Sequence, residues 1–261
     1  MELHRIKAIF YRLVRADFLN AAKMFDDIFW PSVDILMIGM MAVWFQNSQP
    51  GGVNILLILL VNDTLWQSLI RANHAIAMNI LAELFDKNLV NLFSTPLVIG
   101  EWLVAGMSLA LLKAFFVTLL CSVLCLIFYG TNIFVLGPLL FVGVISLFMF
   151  GLITGLFSAS LIIYGGQRYQ SAAWSMCWLV APFCAVFYPL AILPAWMQYI
   201  GLALPPTYFF EGVRTFVASD VMPYKLLAIN FLLNIVYLGG ALALFRSAFE
   251  KSRDLGLARL E

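Results

Sequence analysis

The sequence predicts an all-α integral membrane protein with six transmembrane helices. Additional helices are expected at the amino terminus, on the cytoplasmic side between spans two and three, and on the outer side between spans five and six. Hydrophobic residues make up 63% of the 261-residue chain and charged residues only 11%, with a mean hydropathy of +0.96. A water-soluble fold could not cover that much apolar surface. Apolar windows long enough to cross a bilayer recur along the chain, and Lys and Arg cluster at alternate ends of them.

Residues 1–27 predict an amphipathic helix at the cytoplasmic membrane interface. Apolar residues recur at helical spacing, as at Leu3, Ile6 and Phe10, with Arg and Lys between them. Such a helix lies flat, with its basic side chains directed toward anionic lipid headgroups. A basic anchor that only fixes topology is the alternative. No small-residue cleavage site follows, so the pattern favours a retained segment over a signal peptide.

Six apolar windows predict the spans, at 28–45, 53–77, 102–128, 133–164, 172–189 and 226–245. They must be helices, because a lipid-exposed strand would leave its backbone groups unpaired. Basic residues precede the first window and follow the sixth, which predicts that both termini are cytoplasmic. The chain is then a single membrane domain, 1–261, divided into 1–27, spans one and two at 28–80, a helix at 81–97, spans three to five at 102–189, outer helices at 190–222, span six at 224–246 and a cytoplasmic tail at 247–261.

The segment "LAELFDKNLVNLFSTPL" at 81–97 predicts a cytoplasmic helix that does not span the membrane. Leu84, Phe85, Leu89 and Leu92 share one helical face, and charged residues lie mostly elsewhere. Charge of both signs suits a protein partner better than lipid. A connector lying on lipid is the alternative.

The outer segment between spans five and six predicts short, broken helices. It contains six prolines from Pro182 to Pro223, and the apolar runs between them are too short to cross the bilayer. We expect re-entrant or interfacial helices at 194–204 and 206–217. Aromatic residues such as Trp196 and Tyr208 suit headgroup depth.

The order of these elements resembles the permease subunits of type-2 ABC exporters. The resemblance rests on "ELFDKNLVNLFSTPLVIGEW" before span three and on "APFCAVFYPLAILPAWMQYIGLALPPTYFFEGVR" after span five. The second stretch contains Tyr188-Pro189, Leu193-Pro194-Ala195-Trp196, Pro206-Thr207-Tyr208 and Glu211-Gly212-Val213-Arg214. The resemblance covers essentially the whole chain.

The resemblance implies a multi-pass subunit of the bacterial cytoplasmic (inner) membrane, in contact with membrane lipids. Its partners would be a cytoplasmic ABC ATPase in two copies and a second permease, most simply in a homodimer. The 81–97 segment would be the coupling helix seated on the ATPase. The coupling residues would be Glu83, Leu84, Phe85, Asp86, Lys87, Leu89 and Leu92.

The resemblance also implies a transport route walled by spans two and five of both permeases. Candidate lining residues are Asn62, Asp63, Trp66, Trp174, Trp178 and Phe183, and the candidate outer gate comprises Trp196, Tyr208, Glu211 and Arg214. An aromatic lining would suit an amphipathic or lipid-like cargo, such as a drug, a lipid or a lipid-linked glycan. Helix packing is the alternative role of these aromatic residues.

Two charges fall near the middle of predicted spans. Asp63 lies in span two and Lys113 in span three. A charge at the bilayer centre costs on the order of 3 kcal/mol, so a partner or a wet cavity is expected. We expect the two to form an ion pair, with a contact to the transported molecule as the alternative.

Residues for enzyme chemistry do not stand out. No lysine ends a G-x-x-x-x-G-K-[ST] phosphate loop, so ATP and Mg would be bound by the partner ATPase and this chain would hold no cofactor. His4 and His74 are too far apart in sequence to indicate a metal or catalytic site. The four cysteines suit helix packing. The net charge of +1 gives no reason to expect nucleic acid as a partner.

Two other functional classes remain as alternatives. A secondary carrier would ordinarily show internal repeats and breaks at mid-depth, whereas the halves of this chain do not repeat and its Pro-rich breaks occur at the outer edge. A membrane-embedded transferase would need clustered His, Asp or Glu at an interface. The outer acidic candidates are limited to Glu211 and Asp220.

Overall fold

The computed structural model describes residues 2–48, 53–88, 91 and 95–254. Within these ranges the chain is helical and contains no strand. The helices are α1 (Leu3–Phe18), α2 (Ala21–Ser48), α3 (Ile55–Phe85), α4 (Ile99–Tyr129), α5 (Pro138–Gly165), α6 (Ala172–Val180), α7 (Ala195–Ala203), α8 (Pro205–Ser219) and α9 (Tyr224–Asp254). Short 3-10 turns occur at Ile133–Leu136, Gly166–Tyr169, Ala181–Phe183 and Leu190–Ile192.

In the described part of the chain, 5 helices are long and apolar enough to cross a membrane. They are α2, α3, α4, α5 and α9. The predicted fifth span, 172–189, is not one helix, because α6 has only 9 residues and ends at Val180. A helix of that length is about 14 Å long, roughly half of a bilayer core.

Proline explains why the fifth window breaks. Pro182 has no N–H to continue the helical ladder, and the chain turns through Ala185 at a φ of 54°. The backbone then continues irregularly to Pro189. Six full-length spans are therefore not confirmed. Cytoplasmic placement of both termini stays a prediction, which requires α6 and the irregular segment after it to cross the membrane together.

Recognisable sequence signals set the helix ends. The side chain of Asn54 accepts a hydrogen bond from the Leu57 N–H at the start of α3, at 2.9 Å. Gly130 ends α4 in the left-handed conformation, at a φ of 61°. Pro138 and Pro205 begin α5 and α8, where a missing N–H leaves no helical bond unmade.

Helix α3 lies at the centre of the fold and packs against α5, α4 and α2. Glycines allow the close approach of α5. A Cβ on Gly151 would lie 2.5 Å from the carbonyl oxygen of Leu69, and one on Gly155 would lie 2.9 Å from that of Asn73. Elsewhere on α3, the polar side chains of Gln67 and Arg71 bind Asp34 and Asp27 of α2.

The amino-terminal helix is shorter than predicted. It ends at Phe18, and residues 21–27 belong to α2. Its apolar face packs on α4 through Leu13 against Ala105 and Leu109. This face therefore contacts protein where the sequence suggested lipid, since the isolated pattern does not distinguish the two apolar environments.

The predicted helix at 81–97 does not begin at residue 81. Residues 81–85 continue α3, and the chain turns at Asp86 and Lys87, where Lys87 has a φ of 50°. The apolar residues at the start of this segment do recur at helical spacing, but they belong to the last turn of α3. In the remainder of the segment, residues 89–90 and 92–94 lie outside the described residues.

Helices also form at the two outer positions. Helix α7 and helix α8 lie within two residues of the bounds expected at 194–204 and 206–217. Leu204, between them, has the extended backbone conformation. Entry of these helices into the membrane from the outside stays a prediction.

Candidate functional site

A cavity of about 590 Å³ lies among α2, α3 and α6, with side chains from α1 and α4 at its polar wall. Its volume is in the range of small-molecule sites in proteins. The lining combines charged, amide and aromatic side chains within otherwise apolar helices: Asp17, Lys23, Asp26, Asp27, Trp30, Asp34, Gln67, Ile70, Arg71, His74, Ala75, Met78, Asn79, Lys113, Trp174 and Trp178.

Buried ion pairs form one wall of the cavity. Nζ of Lys113 lies 3.0 Å from a carboxylate oxygen of Asp17 and 2.8 Å from one of Asp27. Arg71 binds Asp27 at 3.0 Å, and Lys23 binds Asp17 at 2.6 Å. These contacts join α1, α2, α3 and α4. Each of the four buried charges in this wall, Asp17, Asp27, Arg71 and Lys113, has a partner of opposite sign, as a low-dielectric site requires.

The predicted ion pair between Asp63 and Lys113 is wrong. Lys113 reaches Asp17 and Asp27 instead. Asp63 is 1% exposed, and its Oδ2 has no hydrogen-bond partner among the described residues. A long lysine side chain can bind a partner well away from its own Cα. The position of Lys113 along its predicted span therefore does not determine which carboxylate it binds.

Asp17 makes the stability of the site depend on pH. Burial raises the pKa of this carboxyl group, but the charges and hydrogen bonds of Lys113 and Lys23 outweigh burial and leave the pKa below its ordinary value. A carboxyl group with a lowered folded-state pKa stabilises the fold above its unfolded pKa, and that contribution is lost as the pH falls through the folded pKa.

We therefore expect wild-type protein to be more stable than Asp17→Asn at neutral pH, with the difference shrinking below pH ~4. Melting temperatures of the purified proteins across this pH range measure it. Asp86→Asn, in the exposed turn after α3, is the control. A difference between wild type and Asp17→Asn that stays constant down to the lowest pH would contradict the linkage.

Three tryptophans form the aromatic part of the lining. Trp30, Trp174 and Trp178 are 54%, 51% and 54% exposed, respectively. The ring of Trp174 meets that of His74 edge-on, with centroids 5.0 Å apart. The cavity thus presents flat aromatic surface close to the charged wall, an arrangement suited to a molecule with both apolar and polar parts.

The structure brings together two of the six predicted path residues. Trp174 and Trp178 line the cavity. Asn62, Asp63 and Trp66 are on the buried face of α3 and do not line it. Phe183 packs near Trp196, with ring centroids 6.2 Å apart. Span two does contribute to the cavity, but through residues further along the chain.

The predicted coupling residues separate into buried and exposed groups. Glu83 is buried and forms an ion pair with Arg12 of α1, while Leu84 is 0% exposed and belongs to the core. Leu84 therefore cannot be an anchor for a partner without leaving that core. Phe85 is 49% exposed, and Asp86 and Lys87 are exposed in the turn. Leu89 and Leu92 lie outside the described residues.

Helix α1 links this exposed turn to the cavity. Near its start, Arg5 donates a hydrogen bond to the Pro96 carbonyl oxygen at 2.6 Å. Arg12, in its middle, binds Glu83, and Asp17, at its end, binds Lys113. One helix therefore contacts both flanks of the 81–97 segment and the charged wall of the cavity.

The predicted outer gate contains an ion pair with further contacts. Arg214 lies 3.3 Å from Glu211, and it donates hydrogen bonds to the carbonyl oxygens of Ala185 and Val186 at 2.5 and 2.9 Å. Glu211 accepts a hydrogen bond from the Leu190 N–H at 2.6 Å. The pair therefore holds the irregular segment after α6.

The other two outer residues have different surroundings. Trp196 is 61% exposed, and the Tyr208 hydroxyl donates a hydrogen bond to the Leu202 carbonyl oxygen at 2.7 Å. Asn62, predicted to line the path, instead donates to Val186 at 2.8 Å. It thus shares an acceptor with Arg214 and ties α3 to the same irregular segment.

Most residues of the polar cavity wall are not among those predicted from the sequence. Asp27, Trp30 and Asp34 recur at helical spacing on α2, and Gln67, Arg71 and His74 do so on α3. Polar residues repeated on one face of an apolar helix are a recognisable sign of a lined cavity. The first predicted span begins at residue 28 and so excludes Asp27.

No protein-family model matches the chain, and no curated protein matches it either. Within the described ranges, no group of three or more His, Cys, Asp or Glu side chains could hold a metal ion.

Proposed function

We propose that this chain is the membrane-spanning subunit of an ATP-driven ABC exporter for an amphipathic or lipid-like cargo. The observation that carries the proposal is the cavity of about 590 Å³, in which charged and aromatic side chains line helices apolar enough to cross a membrane. Buried charge in such helices is expensive and is typical of a substrate pathway. The resemblance of the outer and 81–97 motifs to type-2 exporter permeases supports the same function.

A separate ATPase would bind the exposed turn that follows α3 and would supply ATP and Mg. Among the described residues of this region, Phe85 offers an exposed apolar side chain, at 49% exposure. Helix α1 would carry the resulting movement, because its ion pairs reach from Glu83 to Lys113. The complete exporter would contain two copies of this chain and two ATPases in the bacterial cytoplasmic membrane.

Replacing Phe85 with Asp is expected to weaken ATPase binding and transport while leaving the fold intact. A charge at the centre of an apolar contact costs several kcal/mol, whereas Phe85 makes little of the core of this chain. Copurification from the native membrane, with the mass of the assembly, measures binding. Leu84→Asp is not a usable test, since that residue is fully buried.

Tyr224→Asp is the matched control, because Tyr224 is also exposed but lies at the start of α9. Equal recovery of the ATPase with wild type and Phe85→Asp would remove this turn from the coupling contact. Recovery of the wild-type chain without any ATPase would contradict the exporter proposal.

A secondary carrier is the second candidate, and the buried charges of the cavity favour it. Asp27, Arg71 and Lys113 could respond to a bound ion or proton during transport. Transport by the purified chain alone, driven by an ion gradient, would distinguish this function from an ATP-driven exporter.

A further inference from the structure

Two carboxylates that line the cavity, Asp26 and Asp34, form no ion pair among the described residues, and Asp34 is the less exposed of the two. Lys23, Arg71 and Lys113 all bind Asp17 or Asp27. Among the described residues, no Lys or Arg forms an ion pair with Asp34, whose Oδ2 accepts a hydrogen bond from Gln67 at 2.5 Å. Asp34 is therefore available to a positively charged group in the cavity.

Aromatic side chains line the same cavity as Asp34, one of them from a nearby position of α2 and two from α6. Trp30 lies one helical turn before Asp34 on α2, and Trp174 and Trp178 lie one turn apart on α6. All three line the same cavity and are about half exposed. The faces of tryptophan rings attract ammonium groups, most strongly where water is excluded. Carboxylate and tryptophans together favour an organic cation.

The α3 wall offers the opposite chemistry. Arg71 and Asn79 line the cavity and are 7% and 6% exposed. Nε of Arg71 and Nδ2 of Asn79 are hydrogen-bond donors without a partner among the described residues. Buried donors without an acceptor are unfavourable, and the oxygen atoms of an anionic group would accept hydrogen bonds from them. A simple cation would leave these donors empty, and a simple anion would face Asp34.

We infer that the cavity binds a zwitterionic amphiphile, in which an ammonium group is joined to a phosphate or carboxylate and carries an apolar chain. The ammonium lies against Asp34 and the tryptophans, and the anionic group accepts hydrogen bonds from Arg71 and Asn79. The apolar chain leaves past the exposed tryptophans. This inference rests on the proposed function, for which it names the cargo class.

Four probes with the same octyl chain test the headgroup chemistry. They are octylphosphocholine, octyl phosphate, octyltrimethylammonium and octyl glucoside, each titrated by calorimetry into the full chain held in phosphatidylglycerol nanodiscs. That lipid has no ammonium group. We expect octylphosphocholine to bind about tenfold more tightly than the single-charge probes, the ratio that one lost polar contact produces. Equal or tighter binding of any other probe would overturn the inference.

Variants assign each headgroup charge to a wall. Asp34→Asn should weaken the binding of octylphosphocholine about tenfold and leave the binding of octyl phosphate no weaker, because only the ammonium loses its partner. Arg71→Lys keeps the charge but removes the Nε–H donor. It should therefore weaken the binding of octylphosphocholine and octyl phosphate and leave the binding of octyltrimethylammonium unchanged. If Arg71→Lys does not fold, Asn79→Ala tests the same wall. If a variant weakened the binding of all probes alike, or of none, the assignment of each headgroup charge to a wall would be overturned.

Trp178→Leu should also weaken the binding of octylphosphocholine, and Trp44→Leu is its matched control. Trp44 is similarly exposed, at 64%, but does not line the cavity. Equal effects of the two changes would overturn the aromatic contact. The binding measurements need no ATPase, so they separate the two proposals. Zwitterion binding without a copurifying ATPase would contradict only the exporter, and an ATPase partner without zwitterion preference would contradict only this inference.

Discussion

Replacing Lys113 with Met is expected to lower the free energy of unfolding by about 3 kcal/mol, the scale for breaking a buried ion pair. Lys113 contacts both Asp17 and Asp27, and each of these aspartates is 5% exposed. Without Lys113, both carboxylates stay buried with one basic partner each. The methionine fills a similar volume, so the loss is mainly electrostatic. Thermal and denaturant unfolding of the purified chain measure it.

Three companion variants make the result specific. Lys225→Met, at an exposed position of α9, should have little effect. Lys113→Arg should retain most of the stability because it keeps the charge. The double variant Asp17→Asn with Lys113→Met should lose less than the sum of the two single variants, since they share one interaction. Equal stability of Lys113→Met and Lys225→Met would show that the cluster contributes little.

Replacing Arg214 with Met is expected to destabilise the outer half of the protein by about 2 kcal/mol, because hydrogen bonds to a charged group are among the stronger ones. Its guanidinium binds Ala185, Val186 and Glu211. Burial lowers the pKa of Arg214 and the charge of Glu211 only partly opposes this, so the group depends on its partners. Transport should fall as well, if this region forms the outer gate.

The Glu211→Gln change and the double variant complete a mutant cycle. We expect a coupling of about 1 kcal/mol between the two positions, as for other contacting residues. Arg246→Met is the matched control, because Arg246 also binds a glutamate, Glu250, but both side chains are well exposed. Its removal should have little effect. Additive changes at Glu211 and Arg214, no larger than that at Arg246, would leave the pair as ordinary surface charges.

Several elements could be predicted from the sequence because their signals are local. Proline positions led to helices near 194–204 and 206–217, and α7 and α8 lie there. The three-residue spacing of Glu211 and Arg214 predicted their contact, which the structure confirms. Neither signal required knowledge of the rest of the chain.

Other elements could not be placed by local signals. The 172–189 window is as apolar as a span, yet α6 ends at Val180 because backbone geometry at Pro182 prevails over hydropathy. Leu84 belongs to an amphipathic pattern, but the pattern does not tell a partner's surface from the core of the same chain. The similar depth of Asp63 and Lys113 in their windows predicts an ion pair, whereas the long lysine side chain binds Asp17 and Asp27.

The sequence by itself determined that this is a helical chain with several helices long and apolar enough to cross a membrane, since composition and apolar run length act through the solvent and need no tertiary contact. It also determined where many helices begin and end. Only the tertiary structure decided which polar residues meet. Asp17, Asp27, Arg71 and Lys113 lie on four helices and form one wall because α1, α2, α3 and α4 pack against one another. Ion pairs between distant segments depend on that packing, and the cavity exists only where the packed helices leave space between them.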